Sequence, residues 1–143
     1  MNLIQLEKDF LRNVDLGLLL LRLTVGGLMI FHGISKVTGG VDFIAGMLEG
    51  MGLPGFIAYG AVLGELVASI MIICGIWTRL ASVIFVINMI VAIAMAHSSQ
   101  IFMVDPNTGG WAIELPMLYL MGAVVLCFTG AGKYAITKST LLD

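Results

Sequence analysis

Charge is scarce in this 143-residue sequence: Asp, Glu, Lys and Arg make up 11% of it, against roughly 25% in an ordinary soluble domain. That shortage excludes a water-soluble globule of the usual kind. The net charge of −2, without a basic patch, leaves no electrostatic footprint for nucleic acid. There are 2 cysteines, Cys74 and Cys127, outside any Cys-x-x-Cys arrangement. They read as small apolar filler in a reducing compartment. There are 2 histidines, with no spacing signature for zinc or haem, so no metal is assigned. No nucleotide-binding loop appears, and nothing in the chain carries electrons by itself. Repeats and low-complexity tracts are absent. The first 15 residues mix both signs of charge and lack a small-residue cleavage site, so no cleavable signal peptide is expected.

Hydrophobicity dominates what remains. Apolar residues reach 59%, and the mean hydropathy is +1.06. Four apolar stretches run over about 16–34, 56–77, 80–96 and 111–129. Each is near the ~20 residues that cross ~30 Å of hydrocarbon as a helix. Helices are favoured because every backbone group in lipid must be bonded internally. The chain therefore reads as one integral-membrane domain over 1–143, an all-α, membrane-spanning four-helix bundle. Leu3, Leu6, Phe10 and Val14 recur at helical spacing, which predicts a short interfacial helix before the first span. Phe43, Ile44, Met47, Leu48 and Met51 predict an amphipathic helix in the outer loop, ended by Gly52 and Pro54. Asp105 to Gly110 reads as a turn. Trp77 and Trp111 end spans on opposite sides, as interfacial anchors.

Four spans put both termini and the 2–3 turn on one side. That side carries Lys8, Arg12, Arg79, Lys133 and Lys138, and the other carries Lys36 among acids. The positive-inside rule then places both termini in the cytoplasm.

Ionisable residues inside spans are the functional candidates, because a charge in hydrocarbon needs a partner or water. At ~1.5 Å per residue, Arg22, Asn88 and Glu65 lie about 10, 13 and 18 Å in from the cytoplasmic ends of their spans. These depths suggest that Arg22 pairs with Glu65, with Asn88 as a third member. The pair is either a structural lock or a proton-relay or ligand-binding pair. Ala61, Gly64, Ala68 and Ser69 give Glu65 a small-residue packing face. A second group gathers at the outer level: His32, Lys36, His97 and Glu114. It suits a polar head group or proton transfer, since His titrates near neutrality. His97 follows Asn88 by nine residues, about 180° around a straight helix, so both point inward only if the helix unwinds near its end.

Leu21-Arg22-Leu23, Gly26-Gly27, Phe31-His32-Gly33 and Lys36, then Glu65, Gly75-Ile76-Trp77-Thr78-Arg79 and His97, form an ordered set. It continues with Gly110-Trp111-Ala112-Ile113-Glu114 and Thr129-Gly130-Ala131-Gly132-Lys133-Tyr134. Over about 16–137 this resembles DoxX-type membrane proteins. The resemblance implies a four-helix protein of the bacterial inner membrane. Some such relatives are membrane subunits of thiosulfate:quinone oxidoreductases, and others belong to oxidative-stress or sulfur redox systems. The soluble catalytic domain that accompanies sulfur-oxidising relatives has no counterpart here.

The leading expectation is a redox-associated subunit that binds quinone or a small ligand in a polar intramembrane pocket, with a soluble redox partner or a homo-oligomer as company. Two other readings stay open. One is a non-enzymatic anchor or assembly factor for a partner protein. The other is a small transporter or lipid-binding protein, although four spans are few for alternating access and no broken-helix pair is evident.

Overall fold

The computed structural model describes residues 12–138 and 141–143. The proposed N-terminal interfacial helix at Leu3, Leu6 and Phe10 lies outside the described residues. Val14, counted with it, is instead the first residue of helix α1 (Val14–Gly39). Asn13 caps α1, its side-chain oxygen accepting from the Leu16 amide at 3.0 Å. The remaining helices are α2 (Asp42–Gly50), α3 (Gly55–Cys74), α4 (Thr78–Ala96) and α5 (Glu114–Thr129). Among the described residues there is no strand beyond an isolated bridge between Val104 and Trp111.

Three helices, α1, α3 and α4, are long and apolar enough to cross a membrane. The fourth, α5, spans 16 residues, about 24 Å at 1.5 Å per residue. It starts at Glu114 rather than Trp111, because Trp111 joins the Asp105–Gly110 turn. There its indole Nε1 donates to the Ile101 carbonyl at 2.6 Å. Helix α1 continues past the expected Ile34 and takes in Lys36. Helix α3 stops at Cys74, three residues before Trp77, because Gly75 turns left-handed at φ +67°.

The four long helices form a ring in which α1 and α4 each neighbour α3 and α5. Val25, Met29, Ile72, Phe85, Tyr119 and Leu126 fill its centre. A smaller cluster of Val41, Leu48 and Ala58 seats α2 across the end of the bundle where α4 finishes. The outward faces are apolar too: Phe31, Phe43, Leu118 and Phe128 are each more than two-thirds exposed. Within the three long apolar helices only 22–33% of residues are buried. Exposed apolar area on this scale is a surface for lipid.

Glycines set the closest approaches. A Cβ on Gly33 would lie 2.7 Å from the Leu66 amide nitrogen, and one on Gly26 would lie 2.8 Å from the Ser69 carbonyl. These positions let α1 press against α3 with backbone near backbone.

Candidate functional site

Arg22 does not meet Glu65. Its Nε donates to the Ile72 carbonyl at 2.8 Å, Nη2 to Ile73 at 2.8 Å, and Nη1 to Ala131 at 2.8 Å and Tyr134 at 2.6 Å. The side chain is 1% exposed. The reason lies in the end of α3. A helix leaves its last four carbonyls without intrahelical partners. Here Ile76 takes Met71, Gly75 and Arg22 share Ile72, Arg22 takes Ile73, and Ile136 takes Cys74. A cation at that end also meets the negative pole of the helix dipole. The five-donor fork spans carbonyls from two segments at once, so a carboxylate is not required.

The tail after α5 is thereby tied across this end of the bundle. The Lys133 amide donates to Asp15, and Thr137 donates to Gly75 and Asp143. The Thr78 and Arg79 amides, at the uncapped start of α4, donate to the Asp143 side chain and the Leu142 carbonyl.

Glu65 takes a different partner. Lys36 Nζ lies 2.5 Å from Glu65 Oε2 across the α1–α3 contact. The carboxylate sits in a π-helical turn, Leu63–Val67, within α3. Such turns are rare and recur at functional sites. The sequence placed Lys36 in the outer cluster and Glu65 deeper. The π turn and the extra length of α1 bring them together.

Above this pair opens a cavity of about 910 Å³. Its wall is mostly apolar, from α2, α3, α4 and α5, and it gathers His32, Lys36, Glu65, Asn88, His97 and Tyr119. The His32 ring stands edge-on to Tyr119, with centroids 6.4 Å apart. Asn88 packs its Cβ against Gly64, and its buried Nδ2 has no hydrogen-bond partner among the described residues. An unpaired buried donor costs about 1–3 kcal/mol, so it favours an acceptor in the cavity. Helix α4 ends at Ala96, and His97 follows at φ −125°. This break lets His97 and Asn88 line the same space, as their spacing required. His97 Nδ1 lies 2.9 Å from Gln100 Oε1.

Two expected members are elsewhere. Arg22 serves the opposite end of the bundle. Glu114, exposed at the start of α5, turns its carboxylate towards Gly110 and does not line the cavity. Asn88 therefore belongs with Lys36 and Glu65 rather than with Arg22. Tyr119 is the addition. It lies in the middle of an apolar span, and only its contact with His32 distinguishes it from a core aromatic.

The comparisons agree with this architecture. A family model described as DoxX matches residues 17–98, the span that carries Arg22, His32, Lys36, Glu65, Asn88 and His97. A Bacillus subtilis (strain 168) protein named "Putative oxidoreductase CatD" is 29% identical over 125 residues, covering 87% of each chain. An uncharacterized protein of Haemophilus influenzae is 31% identical over 122 residues, covering 81% of this chain and 84% of that one. No solved structure gives a significant match. A membrane-type helical bundle with this family match over more than half its length makes the chain a member of the DoxX family.

Proposed function

We propose that this protein is a redox-associated subunit whose intramembrane cavity binds a quinone or a similar small ring compound. The observation that carries the reading is the cavity itself: about 910 Å³, apolar on most sides, with a few polar groups converging at its foot and mouth. That is the usual make-up of a small-molecule site. The donor set suits a ring with carbonyl acceptors. Asn88 Nδ2 has no partner among the described residues, and Lys36, His32, His97 and Tyr119 line the same space. A quinone, when bound, would supply two-electron chemistry. The chain's own groups would orient the ring, exclude water and hold protons. Electrons would come from a soluble redox partner, because no residue pattern here carries them. The name of the Bacillus relative supports a redox setting.

The same proposal makes residues 1–143 one integral domain of the bacterial inner membrane with both termini cytoplasmic. The supporting feature is the charge bias: Arg12, Arg79, Lys133 and Lys138 fall at the Arg22 end, and Lys36 at the other.

Mass spectrometry of the protein purified in mild detergent, followed by titration with a short-chain quinone such as decylubiquinone, tests the reading. Saturable binding is expected, weakened roughly tenfold by Asn88→Ala, the worth of one good hydrogen bond. The absence of both co-purifying quinone and saturable binding would sink it. A tight protein partner under those conditions would instead favour an anchor or assembly role.

A further inference from the structure

Below the cavity, α3 and α4 carry three buried hydroxyl side chains among their apolar neighbours. Ser69 on α3, and Thr78 and Ser82 on α4, are each 0% exposed. Their hydroxyl oxygens have no hydrogen-bond partner among the described residues, and neither do Asn88 Nδ2 and Arg79 Nε. All five groups belong to these two neighbouring helices, and they fall in order. The contact of Gly64 with Asn88 fixes the register. In an antiparallel pair rising ~1.5 Å per residue, Ser69 lies level with Ser82, and Thr78 lies level with the end of α3. Glu65 precedes Ser69 by four residues, close to one helical turn. The row therefore runs Glu65, Ser69, Ser82, Thr78, Arg79, from the foot of the cavity to the α3–α4 turn.

Buried hydroxyls are nearly always bonded, and in a helix they can return to their own backbone. These three do neither. Ala68 and Ala81, beside them in sequence, are buried to the same degree and belong to the central apolar cluster, so small apolar side chains fit at this level. Several unpaired polar atoms lying together meet the requirement for ordered internal water, which needs two to four polar partners. Hydroxyls and waters each donate and accept, so a row of them passes a proton along and returns to its starting state.

We propose that this row is a hydrated proton path joining the Glu65 carboxylate to the Arg79 end of the bundle through Ser69, Ser82 and Thr78. One proton from bulk water at that end arrives on Glu65 as a carboxylic acid, while Lys36 keeps its ammonium and the hydroxyls end unchanged. The path deepens the ligand-binding reading, on which it rests for its purpose, by giving that site a proton supply.

The test uses the full chain in nanodiscs without quinone. A rapid drop in pH is followed by the infrared carboxyl band of Glu65, assigned by its loss in Glu65→Gln. The Ser69→Ala/Ser82→Ala variant is expected to protonate Glu65 roughly a hundredfold more slowly, the low end of what a positioned proton-transfer group contributes. Its melting temperature and final band should stay unchanged, and Ser69→Thr/Ser82→Thr should restore the rate. An unchanged rate in the folded alanine variant would overturn the path and route protons through the cavity mouth. If that variant does not fold, Thr78→Val carries the same expectation and the same refutation. Because no quinone is present, a failure of quinone binding would overturn the ligand reading while leaving this rate as measured.

Discussion

Arg22 on α1 donates to the carbonyl of Ile72 on α3 at 2.8 Å, 50 residues along the chain. One guanidinium closes the open end of a neighbouring helix and holds the tail after α5 through Ala131 and Tyr134. Arg22→Ala is therefore expected to destabilise the protein by about 3–5 kcal/mol, as for a buried charged group stripped of its contacts. Arg22→Lys should recover less than half of that, because an ammonium lacks the planar fork that reaches both segments. Thermal or SDS unfolding of purified variants reads this directly. Near-wild-type stability for Arg22→Ala would contradict the role.

Arg22 and Glu65 act at separate sites, since Ile72 lies seven residues beyond Glu65, about 10 Å along α3. In a double-mutant cycle, Arg22→Ala and Glu65→Gln should add to within ~0.5 kcal/mol. A larger coupling would show that the two ends of the bundle communicate.

Lys36 and Glu65 should behave oppositely. The Glu65 side chain is 7% exposed and that of Lys36 is 23%. Glu65→Gln leaves a largely buried ammonium unpaired, with an expected loss of roughly 3 kcal/mol, whereas Lys36→Met/Glu65→Gln should regain most of it. Additive losses in the unfolding measurement would mean that the ion pair is not formed.

Gly75→Ala tests the turn under Arg22. The residue has φ +67°, and its new Cβ would lie 2.7 Å from Arg22 Nη2 and 2.8 Å from the Ala135 Cα. A loss of about 2–4 kcal/mol is expected from strain and displacement together. The part that comes from displacing Arg22 should vanish in an Arg22→Ala background, while the strain at φ +67° and the contact with Ala135 remain. Full additivity would mean that the glycine serves the backbone turn alone.

The spans were legible because burial in lipid demands long apolar runs, and their composition carried that signal residue by residue. The positions of α2 and α4 follow from turn chemistry and periodicity that a sequence displays, whereas the left-handed stop at Gly75 fell inside a run read as helical to Trp77. His32, Lys36 and His97, counted to one level along their spans, line one cavity. The pairing of charges was not legible. Depth counts suggested Arg22 with Glu65, but they ignore backbone carbonyls, which compete for a guanidinium wherever a helix ends inside the protein. Asn88 was read as a companion of Arg22 for the same reason. Glu114 fell outside the cavity because α5 begins later than its apolar run, leaving that carboxylate beside the Gly110 turn.

By itself, then, the sequence determined that the chain is a helical membrane bundle with ionisable groups inside it, because hydropathy and the cost of unbonded backbone in lipid act locally along the chain. Which partner each buried charge took was decided by the tertiary structure alone. A π turn at Glu65, five extra helical residues at the end of α1 that include Lys36, and a returning tail bring together groups that are far apart in sequence, and an electrostatic contact depends on where the chain puts them.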